Sequence, residues 1–241
     1  MASHSYRDDG IVLRTYKLGE ADRIVVLMTR ANGKVRAVAK GVRRTKSKFG
    51  ARLEPTSHVA LQLHVGRELD IVTQAETADR FGSIRVDLER FARASAMLEA
   101  VDQLASEREE NPRLFEMLLG ALRTLDQRDT PLVSAGFFLK VLALEGFRPE
   151  VGRCVECGST TEPLVSFDDE SGGLRCRPCR RGVAVSPGAV ALLQDILGGR
   201  LSAALAEPPG PATHEIDHLS TRLMEHHLER RLRSVGVLER S

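Results

Sequence analysis

Four cysteines carry the sharpest chemical signal in this chain: Cys154-x-x-Cys157 and, after 18 intervening residues, Cys176-x-x-Cys179. Two residues between thiols form a tight knuckle that presents both sulfurs to one tetrahedral ion, and the ion ties two distant knuckles together. The spacing falls inside the four-thiolate zinc pattern. Gly158 and Pro178 suit such turns, and Arg175, Arg177, Arg180 and Arg181 are expected to offset the charge that four thiolates leave on one dication. Four protein ligands leave no open position, so the expected cofactor is one structural zinc ion. Two disulfides or free thiols are the alternative, and a reducing cytosol argues against the disulfides.

A second metal-like pattern competes. His214-Glu215-Ile216-Asp217-His218 satisfies H-E-x-x-H, the helix signature of zinc proteases. The apolar stripe Ile216, Leu219, Leu223 leaves both histidines on the wetter face, and the extended form would need glycine and histidine where Thr221 and Met224 stand. The pattern reads as a surface coincidence, as does His226-His227. There is no glycine-rich phosphate loop ending in Lys-Ser/Thr and no G-x-S-x-G, so no enzyme activity is expected.

The remaining chemistry is electrostatic. The net charge is +2, but residues 1–80 carry 15 Lys+Arg against 9 Asp+Glu, whereas 81–153 and 154–241 each carry 10 against 12. From Arg30 to Arg52 there are nine basic residues and no acid. Such asymmetry points to a polyanionic partner. Lys34, Arg36, Lys40, Arg43, Arg44, Lys46, Lys48, Phe49 and Arg52 are the expected nucleic-acid contacts: cations for phosphate, Phe49 for a base. Aromatics are otherwise scarce here, with Tyr6, Tyr16, Phe81 at the exit and no Trp. Weak sequence preference and steep salt dependence follow, with a log–log slope of about −3.5 if ~5 cations meet single-strand phosphates. The bland alternative is a solvated loop, or one facing anionic lipid or an acidic protein.

The elements that must position these groups are readable by period. Gly10–Tyr16, Asp22–Thr29, Lys34–Lys40, His58–Val65 and Leu69–Thr77 are strand-like, several with period-two alternation. Asn32-Gly33 predicts a type I′ hairpin turn. Five short strands with a long connection from Gly41 to Pro55 favour an OB-fold barrel, with SH3-like barrels an alternative. From about Val86 the period is helical, with Leu88, Phe91, Leu98, Val101 and Leu104 predicted on one face. Asn111-Pro112, Thr130-Pro131 and Ser186-Pro187 open helices, and a final helix is expected over Glu215–Val235 after the Glu207–Pro211 loop. The expected class is α+β: a five-stranded OB-fold domain over 1–80, then an all-α domain over 81–241 with a four-cysteine zinc finger inserted at about 151–186. At 241 residues, 42% of them apolar and 28% charged, the chain can bury roughly 70–75% of its unfolded surface without staples. Aliphatic runs such as Ile24–Met28 reach five residues, against the ~20 of a membrane helix. Residues 1–30 lack the order of a secretory leader, so a cytoplasmic location with no membrane partner is expected.

Taken in order, the pieces resemble the bacterial DNA repair protein family RecO. The resemblance is carried by Gly10-Ile-Val-Leu13, Arg14-Thr-Tyr16, Glu20-Ala-Asp-Arg-Ile-Val25, Gly33-Lys34, Val38-Ala-Lys-Gly-Val-Arg-Arg44, Lys46-Ser-Lys-Phe-Gly50, Leu53-Glu-Pro55, Leu69–Glu76 and the two cysteine pairs. It implies an N-terminal OB-fold, a helical domain with a zinc finger, and nucleoid association. It further implies binding of single- and double-stranded DNA, annealing, and partnership with RecR and the acidic tail of single-strand binding protein in loading RecA, with RecF a further candidate. Arg230, Arg231 and Arg233, expected on a helix over Leu223–Arg233, are the candidate receivers of that tail. A zinc-ribbon RNA-binding or ribosome-associated module is the runner-up, and a zinc hydrolase the third reading.

Overall fold

The computed structural model describes residues 4–234. They form two compact units, 4–128 with 232–234, and 129–231. Each is described by itself.

The first unit opens with five strands: β1 (Ser5–Leu18), β2 (Asp22–Thr29), β3 (Gly33–Ala39), β4 (His58–His64) and β5 (Asp70–Asp79). They close into a barrel in the order β1-β2-β3-β5-β4, as the OB-fold reading requires. Side chains alternate across a pleated strand. Val25 and Leu27, then Val35, Ala37 and Ala39, therefore fill the interior with Val12, Val59, Leu61, Leu63 and Val72. The β2–β3 turn is not type I′. Three residues separate the Thr29↔Gly33 pair, and of Asn32 and Gly33 only the glycine is left-handed, at φ 62. The Thr29 hydroxyl accepts from the Asn32 N–H at 3.2 Å, and Asp8 accepts from the Asn32 amide at 2.7 Å, so side chains set the turn.

The barrel closes narrowly. β3 and β5 pair in parallel only at Ala37↔Asp70 and Val38↔Ile71. Below that seam the backbone of 107–109 lies along β3, through a bridge between Lys34 and Glu107 and a 3.0 Å bond from the Arg108 N–H to the Lys34 carbonyl. A Cβ on Gly33 would stand 1.8 Å from the Glu109 carbonyl oxygen, so glycine is required there for close approach as well as for φ. That stretch joins α2 (Leu88–Leu104) to α3 (Pro112–Gln127), which follow the short α1 (Gly82–Val86). The change from strand to helix at 80/81 thus falls inside the first unit. The buried face of α2 matches the predicted one only in part: Leu98 and Val101 are buried, but Leu88 is 63% and Phe91 39% exposed, and Ala92, Ala96, Met97 and Ala100 are buried instead. Alanines at i, i+4 and i+8 admit the close approach that larger residues would prevent.

The second unit holds α4 (Leu132–Leu144), a three-stranded sheet of β6 (Leu164–Asp168), β7 (Gly173–Cys176) and β8 (Val183–Ala184), then α5 (Pro187–Leu197), α6 (Leu201–Ala204) and α7 (Pro211–His227). The Ser186 and Asn111 caps form as expected, accepting from Ala189 and Leu114 N–H at 3.2 and 3.0 Å. The last helix starts earlier and ends sooner than predicted. Pro211 takes the first position behind Gly210, whose N–H donates to the Thr213 hydroxyl at 2.8 Å. Glu229, at φ 51, stops it: Arg230 and Glu229 N–H groups donate to the Glu225 and His226 carbonyls at 3.0 and 3.1 Å, a Schellman ending made without glycine. Val235 lies outside the described residues.

Candidate nucleic-acid interface and metal centre

The connection after β3 is built on Phe49. Expected to stack on a base, it is instead 1% exposed and packs in the barrel core with Val42 and Leu53. The apolar ring is worth more in the barrel mouth than in water, and its burial pins the basic loop to the barrel. The loop turns on Gly41, with Arg44 and Ser47 N–H groups donating to Gly41 and Arg44 carbonyls at 3.1 and 3.0 Å. The Gly41 N–H is held by the Asp22 carboxylate at 2.7 Å.

The expected phosphate contacts separate into two groups. Lys34 Nζ donates to the Asp102 carbonyl at 2.6 Å and faces its carboxylate at 3.8 Å, so it is turned toward α2 rather than outward. Arg36 pairs with Glu107 at 3.7 Å. By contrast Lys40, Arg43, Arg44, Lys46, Lys48 and Arg52 are all exposed, and among the described residues none of the six makes an ion pair. Lys48 donates to the Thr73 carbonyl at 2.8 Å and lies 4.9 Å from the Phe49 ring centroid. Arg43 and Arg52 donate to the Gly19 and Lys48 carbonyls at 3.2 and 2.6 Å. Lys40, Arg44 and Lys46 are left to solvent.

Asp102, which sequence reasoning did not single out, organises the other side of this face. Its carboxylate takes Arg14 Nε at 2.8 Å. Burial pushes this carboxyl up in spite of the Arg14 and Lys34 charges. Arg14 in turn lies 5.0 Å from the Tyr16 ring centroid.

In the second unit the four cysteine sulfurs lie within 4.8 Å of one another. Gly158, at φ 72, closes the first knuckle with a 2.9 Å bond to the Cys154 carbonyl, and Cys179 N–H closes the second onto Cys176 at 3.1 Å. The first knuckle is stitched to β7 by Val155 N–H donating to Leu174 at 2.9 Å. A tetrahedral ion at about 2.3 Å from each sulfur would set neighbouring sulfurs about 3.8 Å apart, and Cys157 and Cys176 sulfurs stand 3.7 Å apart. The donor set therefore fits such an ion. Burial raises the Cys154 thiol, but the N–H groups of Cys157, Cys176 and Glu156 outweigh it and bring it down to about 6. Cys179 is pushed up to about 12, because its thiol is shared with Cys157 and Cys176 and is partly buried. A dication bound there would take the place of such protons.

The arginines expected to balance the thiolates are placed otherwise. Arg175 is buried and pairs with Asp168 at 2.7 Å and Glu156 at 2.8 Å. The Ser171 hydroxyl and Arg175 hold the Asp168 carboxyl below its usual range against burial. Arg181 pairs with Glu170, and Arg177 and Arg180 are exposed. The brace is thus ionic and separate from the sulfurs. In H-E-x-x-H, His214 and His218 are exposed, and Glu215 accepts from the Ser186 N–H and hydroxyl at 2.8 and 2.6 Å. It holds the start of α5. His227 packs on Phe147, ring centroids 4.4 Å apart. Arg230, Arg231 and Arg233 are exposed but follow the Schellman ending, so they do not share a helix face.

Comparison with known proteins agrees over the whole length. The family model described as "Recombination protein O N terminal" matches residues 1–81, and "Recombination protein O C terminal" matches 85–235. The chain is 46% identical over 242 residues to the DNA repair protein RecO of Frankia casuarinae, and 45% identical over 242 residues to that of Thermobifida fusca. It is 43% identical over 244 residues to the protein of the same name from a Nocardioides species. In each case 98% of this chain and 99% of the relative are covered.

Proposed function

The chain belongs to the recombination protein O (RecO) family of DNA repair proteins, and on that premise we propose that it is a non-enzymatic recombination mediator. It binds single- and double-stranded DNA and anneals complementary strands. With RecR it helps load RecA onto DNA coated with single-strand binding protein. The observation that supports this reading is the loop from Lys40 to Arg52, whose cations stay exposed and free of carboxylates while Arg14, Arg23, Arg30, Lys34 and Arg36 each pair with an acid. Complementary strands repel each other. A fixed cationic surface neutralises phosphates and releases their condensed counterions, which lowers that barrier without reading bases and without covalent chemistry.

Zinc is the ion that four thiolates at this spacing select, and Cys154, Cys157, Cys176 and Cys179 would hold it. An ion bound to all four would contribute folding free energy to 151–186. The acidic tail of single-strand binding protein is assigned to exposed cations at the end of the second unit, Arg230 and Arg231, and separately to Arg233. Unchanged tail-peptide affinity after their joint replacement by alanine would overturn that assignment.

The test is strand annealing with complementary oligonucleotides coated by single-strand binding protein. The protein accelerates annealing, and the acceleration falls as salt rises. No acceleration at low salt, or tighter binding to RNA than to single-stranded DNA of the same sequence, would overturn the reading.

A further inference from the structure

Cations hold phosphate; they do not hold bases. With Phe49 and Phe81 buried at 1% and 4% exposure, two aromatics of the barrel remain. Tyr6 is engaged: its hydroxyl donates to Asp70 at 2.5 Å and accepts from Arg108 at 3.1 Å. Tyr16 is not. At 43% exposure it is the one exposed aromatic among the described residues of the barrel.

Its register gives it company. Tyr16 pairs with Ile24, Ile24 with Val38, and Val38 with Ile71, so the four cross β1, β2, β3 and β5 in a single row. Their strand neighbours Val25, Ala37 and Val72 belong to the interior, so the row lies on the outer face. Ile24, Val38 and Ile71 are half-buried rather than covered. The next row on that face is Arg14, Val26 and Arg36, and Lys40 follows Val38 by two residues on the other side. An apolar track from Tyr16 to Val38, two strand spacings or about 10 Å long, is therefore flanked by Arg14 and Arg36 on one side and by Lys40 on the other, where the Asp22 carboxylate is held by the Gly41 N–H at 2.7 Å. Arg14 is anchored by Asp102 at 2.8 Å and lies over the tyrosine ring at 5.0 Å, which orients the ring. The Arg36 contact to Glu107 is long, at 3.7 Å, and exposed, so phosphate can exchange for it.

We propose that this row is a base-stacking subsite for single-stranded nucleic acid, with Tyr16 as the platform, held by Arg14, and Arg36 and Lys40 receiving the flanking phosphates. This rests on the nucleic-acid reading and adds to it a place where unstacked bases lie. A strand enters from the Lys40–Arg52 loop and crosses the barrel perpendicular to its strands. Any base has a face to stack, so the subsite is indifferent to sequence but distinguishes single strands from duplexes, whose bases are already stacked.

The test uses the full-length protein, an oligo(dT) strand, the same strand with abasic sites at its centre, and an oligo(dT) carrying 5-iododeoxyuridine for photocrosslinking. Tyr16→Ala weakens oligo(dT) binding about tenfold, Tyr16→Phe by less than about twofold. The log–log salt slope is unchanged, because no phosphate contact is lost. The abasic strand binds wild type and Tyr16→Ala alike, and the crosslink maps to Tyr16. Equal binding of oligo(dT) by wild type and Tyr16→Ala, or a crosslink mapping elsewhere, overturns the subsite and leaves DNA binding standing. Failure of the folded wild type to bind oligo(dT) at low salt overturns both.

Discussion

His58 and Asp79 face each other as a cross-strand pair of β4 and β5, with Nδ1 and Oδ2 2.8 Å apart. The same carboxylate oxygen accepts from Arg123 of α3 at 2.8 Å, and Phe115 of α3 lies edge-on to the imidazole at 6.0 Å between centroids. One acid therefore fastens a helix to the barrel. Burial works against the Asp79 carboxylate, but the hydrogen bonds from His58 and Arg123 more than compensate and hold its pKa below the ordinary 3.8.

A group depressed in the folded state contributes stability that is complete above its unfolded pKa and lost as pH falls through the folded one. Asp79→Asn should cost about 1–3 kcal/mol at pH 7. The gap from wild type should close as pH falls below the ordinary carboxylate range. Urea unfolding at the two pH values measures it, and a gap that widens in acid would contradict the pairing.

The exposed loop cations should act on DNA uniformly. Replacing Arg43, Arg44, Lys46 and Lys48 together by alanine removes four cations, so the single-strand salt slope should flatten by about 2.8 if all four meet phosphate. Affinity should fall for every sequence tested. Lys34→Ala should act chiefly on stability, because its ammonium is spent on Asp102. Anisotropy titrations across a salt series separate the two.

Phe49→Ala should destabilise the protein by about 3–5 kcal/mol, as expected for a large buried ring, and Phe49→Leu by much less. Folded Phe49→Leu should bind oligo(dT) nearly as wild type does. A selective binding loss in that variant, with unchanged thermal unfolding, would restore Phe49 as a base contact.

Chelation should unfold the segment around β6–β8 while the barrel persists, read as lost amide protection over 151–186 with protection retained in β1–β5. One zinc per chain is expected, and Cys154→Ser should abolish it. Glu215→Ala should leave the zinc count unchanged and cost about 1–2 kcal/mol, because this carboxylate caps α5 rather than serving a metal.

The parts legible in the sequence were those where local pattern and tertiary demand coincide. The alternation of Lys34–Lys40, the Ser186-Pro187 and Asn111-Pro112 caps and the two Cys-x-x-Cys knuckles each fold as their own residues dictate. Sequence reading failed where partners come from far away in the chain. Phe49 sits among basic residues in a loop with no period, so nothing local marks it as a plug for strands that lie well before and after it in the chain. Arg175 lies beside a cysteine, yet its partners are Asp168 and Glu156. Leu88 and Phe91 look like the start of the apolar side of α2, but the buried face there turns to Ala92 and Ala96 and keeps only Leu98 and Val101 of the predicted stripe. Glu229 ends α7 in a conformation that sequence reasoning reserves for glycine. Tyr16 was visible as an aromatic, and its exposure could have been inferred from its period with Arg14 and Leu18, but Asp102 as the anchor of Arg14 could not.

The contact of Glu109 with Gly33 bears on how this protein can be cut. The two family models divide the chain near residue 81, yet the lower half of the β3–β5 seam is covered by 107–109. A fragment truncated at that boundary would carry an uncovered strand edge from Gly33 to Arg36, with unmet N–H and carbonyl groups in register for another chain. Such a fragment should self-associate through that edge. The smallest piece that keeps the barrel monomeric reaches at least through α3.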